Sequence, residues 1–98
     1  MREIKREMGC TTADLVRWLP QALDDLYSQT SLKIDGQDLL DVSDPILSIT
    51  GITLPKRKIA LLNIPVLELN LRFSPFFPKE RLGDVLKRFD LYTRRGGG

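Results

Sequence analysis

The chain has no histidine and a single cysteine, Cys10. Without histidine it lacks the side chain that most often serves as general base or metal ligand near neutral pH. A Ser-His-Asp or Cys-His device cannot be assembled within it, and one cysteine alone makes a poor zinc site. A lone cysteine also excludes an internal disulfide framework, which points to a reducing, cytoplasmic setting. Glycine-rich phosphate cradles of the GxxxxGK[ST] or GxGxxG kind are missing. No apolar run approaches the ~20 residues that a membrane-spanning helix needs. The longest, IALLNIPVLELNL (Ile59 to Leu71), is broken by Asn63, Pro65, Glu68 and Asn70. The expectation is a protein that is not an enzyme and uses no cofactor, metal or membrane.

Ninety-eight residues, 42% hydrophobic and 29% charged, suit one globular domain with its own core. We expect a single α+β domain over residues 1–95 and a flexible glycine tail over 96–98. Gly9-Cys10 has the form of a lipoprotein cleavage site, but charged residues stand where an apolar segment should precede it. Charge is unevenly spread. Residues 1–44 hold five basic and nine acidic side chains, a balance of −4, while residues 45–98 hold ten and four, a balance of +6. Such asymmetry can mark a polyanion-binding face. Packing of the two halves against each other would intermingle the charges, and that is the favoured reading.

Hydrophobic periodicity gives the elements. Residues 2–8 form a short, charged edge strand. CTTADLVRWLPQALDDLY is a helix, capped by Thr11 or Thr12, with Asp14 in its first turn and an apolar stripe of Leu15, Trp18, Leu19, Ala22, Leu23 and Leu26. Pro20 should kink that helix or split it near Leu19. LKID and DLLDV form a hairpin around Asp35-Gly36, and Asp44-Pro45 starts the next strand, ILSITGITL. Gly51 within it marks a bulge or a close backbone approach. PKRK is expected to be a loop, followed by two strands, IALLNI and VLELNLRF, separated by Pro65. A last helix follows Pro78, with Leu82, Val85, Leu86, Phe89 and Tyr92 on its apolar face.

The order is β-α-β4-α: an antiparallel sheet of about five strands with two helices on one face. That order resembles the TATA-binding-protein-like folds, which implies a scaffold and no particular activity. Leu15, Trp18, Leu19, Leu86 and Phe89 should pack against the Leu67, Leu69, Leu71 and Phe73 face.

Chemistry-bearing residues are few. Asp35, Asp38, Asp41 and Asp44 lack the ligand spacing of a calcium loop and suit turns. Cys10 precedes a helix start, where a thiolate would be stabilised, so it is the candidate reactive thiol. Lys56, Arg57 and Lys58, with Arg94 and Arg95, are candidate polyanion contacts. The outward face of VLELNLRF carries no aromatic ring on which bases could stack. Phe76 and Phe77, between Pro75 and Pro78, either plug the core or form an apolar knob for a protein partner or a second copy.

The tail Gly96–Gly98, preceded by Arg94 and Arg95, resembles the terminus of ubiquitin-like sulfur carriers. The resemblance implies activation of the Gly98 carboxylate. Those β-grasp proteins open with a hairpin and enter the tail from a strand. Here about nine residues precede the first helix and the tail leaves a helix. A C-cap accounts for the glycines without chemistry. The expected function is therefore a small binding or protein-interaction domain. Nucleic-acid binding through the basic half is the first alternative and a sulfur-carrier role the second.

Overall fold

Between Leu67 and Phe73 every second side chain is apolar, and in the computed structural model Leu67, Leu69, Leu71 and Phe73 are all buried. The structure describes residues 2–93. The elements are β1 (Arg2–Met8), α1 (Thr12–Leu23), a 3-10 segment (Asp24–Gln29), β2 (Thr30–Ile34), β3 (Gln37–Leu40), β4 (Leu47–Ile59), β5 (Leu62–Phe73) and α2 (Lys79–Thr93). They form an α+β domain in which one sheet, ordered β1-β5-β4-β2-β3, is covered on one face by the two helices.

The sheet is mixed, not purely antiparallel as expected. β1 with β5, β5 with β4 and β2 with β3 are antiparallel, but β2 and β4 run parallel. The segment 41–46 causes this. It carries the chain from the end of β3 back to the start of β2 in place of a tight turn. Asp44 reverses the backbone at φ +55°. The Ile46 amide then donates to the Gln29 carbonyl at 2.9 Å, which places Leu47 beside Thr30.

The α1 start follows its sequence signals. Thr11 Oγ1 accepts from the Asp14 amide at 3.2 Å, and the Asp14 carboxylate accepts from the Thr11 amide at 3.3 Å. This reciprocal capping typically contributes about 1 kcal/mol. Pro20 does not split the helix at Leu19. Leu15, Leu19, Ala22 and Leu23 are all buried, so packing holds the helix through the missing donor. The break comes at Asp24 (φ +54°), whose amide bonds the Pro20 carbonyl. Trp18 and Leu86, expected in the core, lie at its margin, half-buried against the core cluster.

Two contacts fix α2. The Arg6 guanidinium grips Asp90 through two bonds, Nε at 3.0 Å and a terminal nitrogen at 3.2 Å, joining the edge strand to the helix. Arg88 donates to the Gln21 carbonyl at 2.9 Å, one of the carbonyls left unpaired where α1 ends, and lies 4.7 Å from the Tyr92 ring centre.

PKRK is not a loop, and only two strands occupy residues 47–73. β4 runs through Pro55 to Ile59 and turns at Ala60-Leu61, and β5 runs through Pro65. Leu54 pairs with Val66 and Arg57 with Ile64, so Pro55 and Lys56 together face Pro65 as a β-bulge. The bulge absorbs two prolines that cannot donate to a ladder.

Gly51 is a close approach: a Cβ there would lie 2.5 Å from Ile34 Cδ1 and 2.7 Å from Leu69 Cδ2, both in the core. Gly51→Ala should destabilise the fold by about 1–3 kcal/mol through overpacking. Gly83 of α2 has no atom within 4 Å of such a Cβ. Gly83→Ala should stabilise by about 0.5–1 kcal/mol through helix propensity. Urea midpoints compare the pair, and equal shifts for both would contradict this packing.

Candidate functional site

β4 and β5 are longer than the sheet that holds them. β1 pairs with β5 only from Leu67 to Phe73, and β2 pairs with β4 only from Leu47 to Gly51. Beyond those rows Ile52–Ile59 and Leu62–Val66 have only each other, a two-stranded arm about 25 Å long at ~3.3 Å per residue. The molecule is correspondingly elongated, 45 × 26 × 21 Å.

The arm carries apolar side chains where water is the neighbour. Leu61 at the tip is 96% exposed, and Ile52, Ile59 and Leu62 are more than half exposed. Strand alternation and the bulge put Ile52, Leu54, Ile59, Leu62, Ile64 and Val66 on one side of the arm, the face opposite the helices. Lys56, Arg57 and Lys58 lie in the same segment, which has no acidic residue between Ile52 and Leu67. Isolated two-stranded ribbons are marginal in water, and exposed apolar patches usually mark contact sites.

Nearer the body, the same face turns polar: Glu3, Lys5 and Glu7 of β1, Glu68, Asn70 and Arg72 of β5, and Thr50 of β4. Glu7 and Glu68 are direct register partners, so two carboxylates stand side by side. Arg57 pairs with Glu7, whereas Glu68 has no ion-pair partner among the described residues. Asn70 donates to Glu3, and its buried Oδ1 finds no donor. Glu3, Lys5, Thr50, Ile52, Glu68 and Asn70 line a shallow depression of about 260 Å³.

The base of the arm is clamped. Asp35, in the hairpin turn with φ +52°, accepts from the Thr53 amide at 2.9 Å and from its hydroxyl at 2.6 Å. The Thr53 hydroxyl and then its amide hold the Asp35 carboxyl below its ordinary range.

The other candidates fall elsewhere. Phe76 and Phe77 part company. Phe77 packs on the core with its ring 5.1 Å from that of Phe73, and Arg81 sits 5.5 Å above it. Phe76 is 92% exposed beside a small hollow of about 140 Å³ lined by Leu26, Ile46 and Pro78. Since it follows β5, it lies at the end of the sheet away from the arm tip. Cys10 is buried next to α1, and burial first and the Asp14 charge second push its thiol up to about 11. That environment keeps the thiol protonated. Arg94, Arg95 and Gly96–Gly98 lie outside the described residues. Among those described, no three His, Cys, Asp or Glu side chains are grouped to hold a metal ion, and no helix is long and apolar enough to cross a membrane.

Sequence reading missed the apolar tip. Ala60-Leu61 contains no glycine, asparagine or proline, although Ala60 adopts φ +54°, so nothing announced a turn. The available signal was the loss of period-two alternation in IALLNI beside a cationic run. The class defined by fold and surface is thus a small mixed-sheet α+β domain with a projecting apolar hairpin. Neither a family model, nor a curated protein, nor a solved structure matches this chain.

Two outcomes check these local environments. Native protein at pH 8 should react with a thiol alkylator far more slowly than urea-unfolded protein, and equal rates would contradict the burial of Cys10. The depressed Asp35 pKa contributes stability that is full above the ordinary carboxylate value of ~3.9. It is lost as pH falls through that value towards the lower folded one. Thr53→Val should therefore flatten the acid limb of the stability curve and raise the Asp35 pKa measured by NMR.

Proposed function

We propose that the chain is a non-enzymatic protein-binding domain whose contact surface is the hairpin arm. The observation that carries this reading is the exposure of Ile52, Ile59, Leu61 and Leu62 on an arm with both edges unpaired. Aliphatic side chains held in water on a projecting ribbon favour a partner that covers them, and ribbon edges can accept a further strand. Phe76 at the other end of the sheet is a second, smaller anchor of the kind that fills a partner's pocket. The likeness of element order to TATA-binding-protein-like folds supplies a scaffold and adds no activity to this reading.

Nucleic-acid binding is the second reading, favoured by Lys56, Arg57 and Lys58 on a β-ribbon, an element that some DNA-binding proteins place in a groove. Three features weigh against it. Arg57 is already paired with Glu7, the tip is aliphatic, and the open face is interleaved with Glu3 and Glu68 and has no aromatic ring. A sulfur-carrier role for Gly98 draws its support from the sequence of the tail alone, and α2 rather than a strand leads into that tail.

The test is cross-linking from a photoreactive residue at position 61 or 62 in cells. We expect protein adducts that disappear with Ile59→Ser/Leu62→Ser while circular dichroism is unchanged. Adducts confined to nucleic acid, with salt-dependent retention on heparin, would favour the second reading.

A further inference from the structure

We propose that the tip of the arm docks end-on into the surface of an anionic phospholipid bilayer. This goes beyond the protein-binding reading, which retains the edges of the ribbon, and shares with it the arm as contact element. Such a surface contact needs no membrane-spanning segment.

Ile52 apart, the exposure of apolar side chains rises along the ribbon. Val66 at the base is 5% exposed, Leu54 and Ile64 are half-buried, Leu62 is 66% exposed and Leu61, at the turn, 96%. The uncovered aliphatic surface is therefore concentrated at the end of the arm, in Ile59, Leu61 and Leu62.

Cations stand directly behind that end, on both faces. Arg57, opposite Ile64, belongs to the open face, while Lys58, opposite Asn63, and Lys56, in the bulge opposite Pro65, belong to the other. Arg57 is held by Glu7, whereas Lys56 and Lys58 are exposed and have no ion-pair partner among the described residues. Counted back from Ile59, Lys58 is one residue away and Lys56 three, about 3 Å and about 10 Å along the strand. Interfacial elements bury their apolar part by about 5–10 Å, so the tip reaches the acyl boundary as the long lysine stems meet the headgroups.

The acids lie too far back to oppose this. Asp35, bonded to Thr53, and Glu68 stand six residues behind Ile59 and Leu62. That is about 20 Å, more than twice the screening length of ~8 Å at physiological salt. A protein groove would cover one face of the ribbon, and nucleic acid would leave the aliphatic tip in water. An anionic bilayer met end-on takes the tip and the cations of both faces together.

The full chain is sedimented with vesicles of phosphatidylcholine, with and without phosphatidylserine. Wild type should sediment with the serine-lipid vesicles alone and be released by salt. Lys56→Ala/Lys58→Ala should weaken binding about 20-fold, and Ile59→Ser/Leu62→Ser should abolish it with circular dichroism unchanged. Leu61→Cys carrying a polarity-sensitive fluorophore should shift to the blue on anionic vesicles, and Phe76→Cys, at the other end of the sheet, should not. No binding to anionic vesicles overturns the proposal, as do equal binding to neutral ones and equal shifts from the two labels. If vesicles are not bound but the arm cross-links protein, the protein-binding reading stands and this one falls. Vesicle binding without any protein adduct gives the reverse.

Discussion

The structure depends on the two-sidedness of β5. Flanked by β1 and β4, this strand must send alternate side chains to opposite faces, and Leu67, Leu69, Leu71 and Phe73 all go to the side where both helices lie. Its neighbours are bound to the same parity. Ile4, Arg6 and Met8 of β1 and Leu47, Ile49 and Gly51 of β4 sit in register on that face. Shifting the register by one residue would move the whole core set into water, so the pairing is strongly specified. Gly51 is the point where packing is so close that no Cβ fits between Ile34 and Leu69.

The helices close one face and leave the other bare. α1 and α2 are tied to each other by Arg88 on the Gln21 carbonyl, and α2 is tied to the edge strand by Arg6 and Asp90. The Arg6–Asp90 contact joins charged groups that are only partly exposed, and its two-point arginine geometry adds direction as well as attraction. The open face has no such cover. Its polar half is solvated, while its apolar half continues onto a ribbon that no other element supports. That division gives the molecule a packed body and a projecting, partly apolar extremity.

Much of the body was legible beforehand. Periodicity located α1, α2 and the buried face of β5, Thr11 and Asp14 marked the helix start, and Asp35-Gly36 marked the first hairpin. The arm was less so. Two prolines and a cationic run in PKRK resemble a loop when each residue is weighed alone, yet the bulge opposite Pro65 places them within a continuous strand. The second turn, at Ala60-Leu61, is imposed by pairing of the flanking strands, because Ala60 has no intrinsic preference for φ +54°. Phe76 and Phe77 were indistinguishable in sequence, and only the position of Phe73 decides which ring is covered.

By itself, the sequence determined the class of element at most positions, the identity of the core face and the lack of histidine, since these follow from local periodicity and composition. Tertiary structure decided the parallel pairing of β2 with β4, the thiol environment of Cys10 and the emergence of the arm. Each of these depends on which distant segments meet. A chain cannot announce locally that two of its strands will outrun the sheet that holds them.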